Sequence, residues 1–222
     1  RAVADYEEAA RRLGDSGTLR LNLGNAWLDL AQVTLGQGRD AGDALARAET
    51  AFDAAVQSPE CRAYALHCRA GLHLIVAGDL LQRERDAGPR LERALSDADE
   101  AIRLGPDMSH AWITRGGVRV RRAQAARARG EDARPDLRAA LSDYDGALAI
   151  NPALADALAN RGQVHTLLAE QAAGRREDPL AEYDLALADL SRALEINPGL
   201  LAAWNNRAIA RSYGNCSMLF RA

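Results

Sequence analysis

Apolar residues recur at helical spacing along most of the chain. The run Leu137, Ala140, Leu141, Tyr144, Ala147, Leu148 shows this most cleanly: steps of three and one put all six on one face of a helix. The stretch from Trp112 to Pro152 reads as helix, turn, helix, its halves split by the charged link Arg129-Gly130-Glu131-Asp132-Ala133-Arg134-Pro135. Pro89, Pro135 and Pro179 stand where a second helix should begin, a position where proline's missing N–H costs nothing.

The unit repeats. Arg115-Gly116 returns as Arg69-Ala70, Arg161-Gly162 and Arg207-Ala208, with 46 residues between neighbours, and Leu23-Gly24 lies one period further back. A fixed period of helical units is the signature of a solenoid. The expected organisation is one array over 1–222. Residues 1–14 match a second helix: Ala2, Tyr6 and Ala9 correspond to Ala140, Tyr144 and Ala147, and Gly14 falls at the Pro152 position. Complete hairpins follow over 18–59, 62–106, 109–152 and 155–198, and 201–222 opens with a further first helix. The first hairpin is expected as helices over 18–35 and 43–57, split by Gly36-Gln37-Gly38-Arg39-Asp40. A chain that opens on a second helix reads as a fragment of a longer protein, with a capping helix as the alternative. The apolar tail Ser217-Met218-Leu219-Phe220 is left as either a terminal cover or a cut end.

The spacings inside the unit resemble the tetratricopeptide repeat, whose pattern is Trp-x2-Leu-Gly, then Ala-x3-Phe, then a closing Pro. Here Trp112-x2-Arg115-Gly116 is followed by Ala140-x3-Tyr144, Ala147 and Pro152. Other copies read Arg161-Gly162, Ala186-x3-Leu190, Ala193, Pro198 and Arg69-Ala70, Ala94-x3-Ala98, Ala101, Pro106. The first hairpin reads more weakly, as Leu23-Gly24, Ala51, Ala54 and Pro59. Two departures stand out: Arg replaces the pattern's Leu, and the period exceeds the usual one. The resemblance implies an all-α fold, an α-solenoid built as a right-handed superhelix of antiparallel helix-turn-helix repeats. The small residue at the Gly116 position fits that fold, because two helices approach closely only where the side chain between them is small.

Composition narrows the function. The chain has 222 residues, 48% hydrophobic and 27% charged, as a folded protein with an ample core requires. The net charge of −3 and few aromatics argue against nucleic acid as a partner. Every one of the 28 basic residues is arginine, which excludes Schiff-base lysine chemistry. No apolar run reaches the roughly 18 residues of a membrane span. Cys61, Cys68 and Cys216 are too few for a disulfide framework, and Cys61 and Cys68 lie two helical turns apart, roughly 10 Å, beyond disulfide reach. A reducing, cytoplasmic setting is the expectation. No phosphate loop, nucleophile triad or zinc spacing appears, so neither a cofactor nor a metal is expected, and no enzymatic chemistry. His73 and His165 share a repeat position where the family pattern has Tyr, which points to packing. The arginines from Arg115 to Arg129 read as a solvated face offset by Glu131, Asp132 and Asp136.

One charge pattern repeats. Three hairpins carry both an Arg and an Asp at fixed positions: Arg69 with Asp97, Arg115 with Asp143, Arg161 with Asp189. The first hairpin, with Leu23 and Thr50 there, loses both charges together. Each Arg is therefore expected to pair with the Asp of its own hairpin as a structural brace.

The resemblance also implies that first helices line a concave groove. The positions it assigns there include Asn25 in the first hairpin, Tyr64 and His67 in the second, and Ile113 and Arg121 in the third. Gln163 follows in the fourth and Asn205 in the fifth. That mixed, rather apolar surface suits an extended peptide or amphipathic helix. The carboxylate clamp of the family's chaperone-tail binders needs lysines that are missing here. The expected function is a protein-interaction scaffold binding a peptide or partner helix. One alternative is the recruiting region of a larger bacterial signalling enzyme, since long units of this kind resemble those appended to bacterial serine/threonine kinases. The other is a scaffold that self-associates through uncapped ends.

Overall fold

Helix follows helix in the computed structural model, which describes residues 2–13 and 16–219. The helices are α1 (Ala2–Leu13), α2 (Gly17–Gly36), α3 (Gly42–Ala55), α4 (Arg62–Gln82) and α5 (Gly88–Leu104). Then come α6 (Ser109–Ala128), α7 (Arg134–Ile150), α8 (Ala155–Gly174), α9 (Leu180–Ile196) and α10 (Leu201–Leu219). There is no strand among the described residues, and no helix there is long and apolar enough to cross a membrane. Gly14 and Phe220 lie outside the described residues. The fold is all-α, a solenoid of tandem helical hairpins. Contacts divide it into two compact units, residues 1–114 and 115–222, with the division inside α6.

The links are built to one plan in both units. Each first helix closes on a residue with positive φ: Gly38 at 70°, Glu84 at 53°, Gly130 at 75° and Arg176 at 62°, all 46 residues apart. The N–H of the following residue reaches back to the helix, as Arg39 to Thr34 O (3.0 Å), Arg85 to Leu80 O (2.8 Å), Glu131 to Ala126 O (2.9 Å) and Glu177 to Ala172 O (2.9 Å). This is the Schellman closure, which satisfies carbonyls left over at a helix end. One residue further on an aspartate turns the chain into the second helix. Asp40, Asp86, Asp132 and Asp178 each accept the backbone N–H two residues ahead, at 2.8–3.1 Å.

Within a hairpin, a glycine on the first helix receives a large side chain from the second. A Cβ on Gly24 would lie 2.5 Å from the Phe52 ring, one on Gly116 2.8 Å from Tyr144, and one on Gly162 2.7 Å from Leu190. Where the first-helix residue is Ala70, the equivalent second-helix residue shrinks to Ala98, and both are fully buried. A glycine on one helix faces a large side chain on the other, and the slightly larger Ala70 faces a small one, as close packing demands.

This packing corrects the reading of the first hairpin. Phe52, not Ala54 or Ala51, occupies the Tyr144 position, so the motif there is Ala48-x3-Phe52 followed by Ala55, all buried. The cause is that Pro59 stands 47 residues before Pro106, one more than the period, so alignment back from Pro59 shifts the register by one.

In unit 1, Ala48, Phe52 and Leu72 form one core cluster with Trp27 and Leu28 against them. A second contains Ala55, Val56, Leu66, Ala101, Ile102 and Ala111, with Met108 and Trp112 at its edge. Trp112 donates its indole N–H to Pro106 O at 3.0 Å, bracing the turn between hairpins, and Trp204 does the same to Pro198 O at 2.9 Å in unit 2. Unit 2 buries Val118, Leu137, Tyr144, Val164 and Leu190.

Candidate functional site: an arginine ladder and the first-helix face

The repeat places each ladder arginine where a second helix can reach it. On α4, Arg69 binds Asp97 of α5 with both arms of its fork, Nε to Oδ2 at 2.8 Å and Nη2 to Oδ1 at 2.7 Å. Its remaining nitrogen, Nη1, donates to Asp53 of α3 at 2.7 Å. Arg161 of α8 repeats this arrangement with Asp189 of α9 (2.7 and 2.6 Å) and Asp145 of α7 (2.6 Å). These contacts hold both guanidinium groups far above their ordinary range, the aspartate hydrogen bonds outweighing burial. Each arginine thus ties its own hairpin together and also ties it to the preceding second helix. Asp53 and Asp145 were not part of the sequence reading. A signal for them existed: Asp53, Asp99 and Asp145 stand 46 residues apart.

The third hairpin varies the theme. Asp143 is fully buried. Arg115 donates to its Oδ1 from Nε (2.9 Å) and Nη2 (2.7 Å), and Nη1 of Arg119 lies 2.8 Å from Oδ2 while also donating to Ala139 O. Two cations around one desolvated carboxylate supply the pairing that such burial requires. Arg119 stands at the repeat position of His73 and His165, which is Trp27 in the first hairpin. His73 is buried with Nδ1 3.0 Å from Arg90, and Nδ1 of His165 lies 2.7 Å from Glu182. In the first hairpin the ladder positions are Leu23 and Ala51. Thr50, expected there, instead donates to Ala46 O within its own helix.

The arginines after Arg119 make no free basic patch. Arg121 donates to Gln124, Arg122 faces Asp136, Arg127 meets Glu170 and Arg129 chelates Glu131.

On the first-helix side of unit 1 the predicted groove residues take distinct roles. Tyr64 is 59% exposed. His67 is half-buried, its Nδ1 3.3 Å from Thr114 Oγ1, and its ring centroid is 6.5 Å from that of His110. Burial first, and then the neighbouring His110, lower the His67 pKa to about 4. Ile113 is half-buried on α6. Burial pushes the Cys68 thiol of α4 up to about 11, a rise that the nearby Asn25 of α2 opposes. In unit 2, Arg121 and Asn205 are exposed and Gln163 is half-buried, on α6, α10 and α8. No group of three or more His, Cys, Asp or Glu side chains able to hold a metal occurs among the described residues.

No family model matches the sequence, and no curated protein matches it. Solved structures do. A crystal structure of MamA is 16% identical, with a TM-score of 0.53 over 88% of this chain and 86% of that one. A second MamA structure is 14% identical, with a TM-score of 0.52 over 89% and 87%. A thermophilic tetratricopeptide-repeat protein of Thermus thermophilus is 22% identical, with a TM-score of 0.48 over 84% and 98%. The fold of this chain is that of the tetratricopeptide-repeat proteins.

Proposed function

We propose that the chain is a protein-interaction scaffold that binds a peptide or partner helix on the first-helix face of unit 1. The observation that carries this reading is the juxtaposition of exposed Tyr64 and His110 with half-buried His67, which meets Thr114 and is flanked by Ile113. Depression of its pKa keeps His67 neutral at physiological pH, so it offers one ring nitrogen as a donor and the other as an acceptor. Tyr64 supplies apolar area with a polar tip, a combination favoured in binding surfaces. Such a face recognises a peptide backbone and one or two apolar anchors better than a free carboxylate, because the chain has no lysine to clamp one. The test is a peptide array followed by titration of its best ligand against Tyr64→Ala and Ile113→Glu. Each substitution is expected to weaken binding about tenfold or more. Unchanged affinity in both would remove the face from the account.

A second reading, self-association through α10, rests on its exposed apolar residues Leu201, Trp204, Ile209 and Tyr213, of which Leu201 is 74% exposed. Light-scattering mass that rises with concentration, and stays constant in Trp204→Glu, supports it.

A further inference from the structure

The α3–α4–α5 junction holds a cleft of about 330 Å³ walled by Glu49, Asp53, Arg69, His73, Arg93, Ser96 and Asp97. Arg69 crosses it to hold both aspartates. One repeat earlier, Glu49 corresponds to Val3, outside the cleft described next, and the other six positions are Glu7, Leu23, Trp27, Arg47, Thr50 and Ala51. All six line a second cleft, of about 650 Å³, at the junction of α1, α2 and α3. It is the same repeat position with the ion pair taken out. Leu23 replaces the arginine and Ala51 replaces its aspartate, so the space is about twice as large and its floor is apolar. Arg and Asp are lost together, which vacates the junction without stranding a buried charge.

The rim is charged with one dominant sign. Arg11, Arg20 and Arg47 line the cleft against the single carboxylate of Glu7. Arg47 lies 4.8 Å from the centroid of the Trp27 ring, making an arginine-capped aromatic wall. Its ion pair with Asp43 and that of Arg11 with Glu8 are exposed pairs within single helices, which contribute little and exchange readily. On α2 the cleft uses Arg20, Leu23 and Trp27, whereas the first-helix face uses Asn25, so the two surfaces are separate.

We infer that the α1–α2–α3 cleft is a second binding pocket, for an acidic peptide segment that seats one large apolar side chain on Leu23 and Trp27 and its carboxylates on the arginine rim. The chemistry follows from the lining. An apolar floor with three guanidinium groups around it favours a ligand with an apolar centre and negative flanks. This site does not depend on the first-helix face, and either can fail without the other.

The test uses the repeat's own alternative. The double variant Leu23→Arg with Ala51→Asp installs the ion pair found at the other junctions and fills the cleft. A labelled peptide with phenylalanine between runs of glutamate is titrated by fluorescence anisotropy into the wild type, the double variant and Trp27→His, with a lysine-flanked peptide as control. The expected result is wild-type binding of the acidic peptide, at least about tenfold weaker binding in both variants and to the control peptide, and unchanged helical circular dichroism. Trp27→His, which places the residue of the next repeat, covers the case in which the double variant fails to fold. Three outcomes overturn the inference. They are no wild-type binding up to about 1 mM peptide, equal binding of the lysine-flanked peptide, and a wild-type mass in solution that falls to monomer in the double variant, which would make the occupant a second copy. Loss of binding in Tyr64→Ala but not in the double variant would assign the peptide to the first-helix face instead.

Discussion

Asp143 is fully buried, and Arg115 grips one of its carboxylate oxygens twice, from Nε at 2.9 Å and from Nη2 at 2.7 Å. Arg119 faces the other oxygen at 2.8 Å. Replacing Asp143 with Asn keeps the shape and removes the charge that holds two arginines against the core. The expected loss of stability is about 3 kcal/mol, the low end for breaking a buried pair. Urea denaturation of Asp143→Asn at neutral pH measures it. A change within about 0.5 kcal/mol, as at an ordinary surface site, would mean that the pair is not structural.

The links make a prediction of opposite sign. Glu84 and Arg176 hold positive φ at positions where the other two links have Gly38 and Gly130. A side chain in the left-handed region costs roughly 1 kcal/mol that glycine does not. Glu84→Gly and Arg176→Gly should each raise the stability of the folded chain by up to about 1 kcal/mol, read as a higher midpoint in the same denaturation experiment. If both substitutions lower the midpoint, the positive φ is not where the cost lies.

Packing between paired helices is equally testable. Gly116→Ala pushes a methyl to 2.8 Å from Tyr144, and the tyrosine, itself buried, has little room to retreat. A loss of about 1–3 kcal/mol is expected. Combining it with Tyr144→Leu should return part of that loss, since the smaller side chain opens space where the methyl lands. Additive losses in the double variant would show that the two positions do not share the space.

Stability should also fall on mild acidification. Unfolded His67 protonates near its ordinary pKa of about 6.5, whereas the folded residue, lowered to about 4, resists the proton. Between those values the unfolded chain binds more protons, so stability drops as pH falls, by up to about 1.4 kcal/mol per unit. The contribution is absent above pH 6.5 and reaches about 2 kcal/mol near pH 5. His67→Gln should lose correspondingly less stability than the wild type between pH 7 and pH 5. Burial lowers the pKa of His73 as well, so the variant keeps some acid sensitivity.

Much of this architecture is written in the 46-residue period. The Arg and Asp of each hairpin could be read because they recur at one spacing, and the structure adds the second acid, Asp53 or Asp145, from the preceding helix. That acid recurs at the same spacing, but pairing across repeats is not visible within a single unit. The left-handed link position was hidden for a different reason: two of its four copies are Glu84 and Arg176, which carry none of glycine's signal. The register of the first hairpin hides because Pro59 stands one residue off the period, so counting back from it misses the Ala48-x3-Phe52 motif. The approach of His67 to His110 depends on how two helices sit against each other, and no spacing in the sequence encodes it.

The measurement that bears most directly on the proposed role is amide hydrogen exchange of the chain with and without the tightest peptide from an array. Binding on the first-helix face of unit 1 predicts slowed exchange over α4 around Tyr64 to Cys68 and over the start of α6 around His110 to Thr114, with α3 and α5 unchanged. Protection confined to the second helices α3 and α5, or no peptide-dependent protection anywhere in residues 62–114, would contradict it.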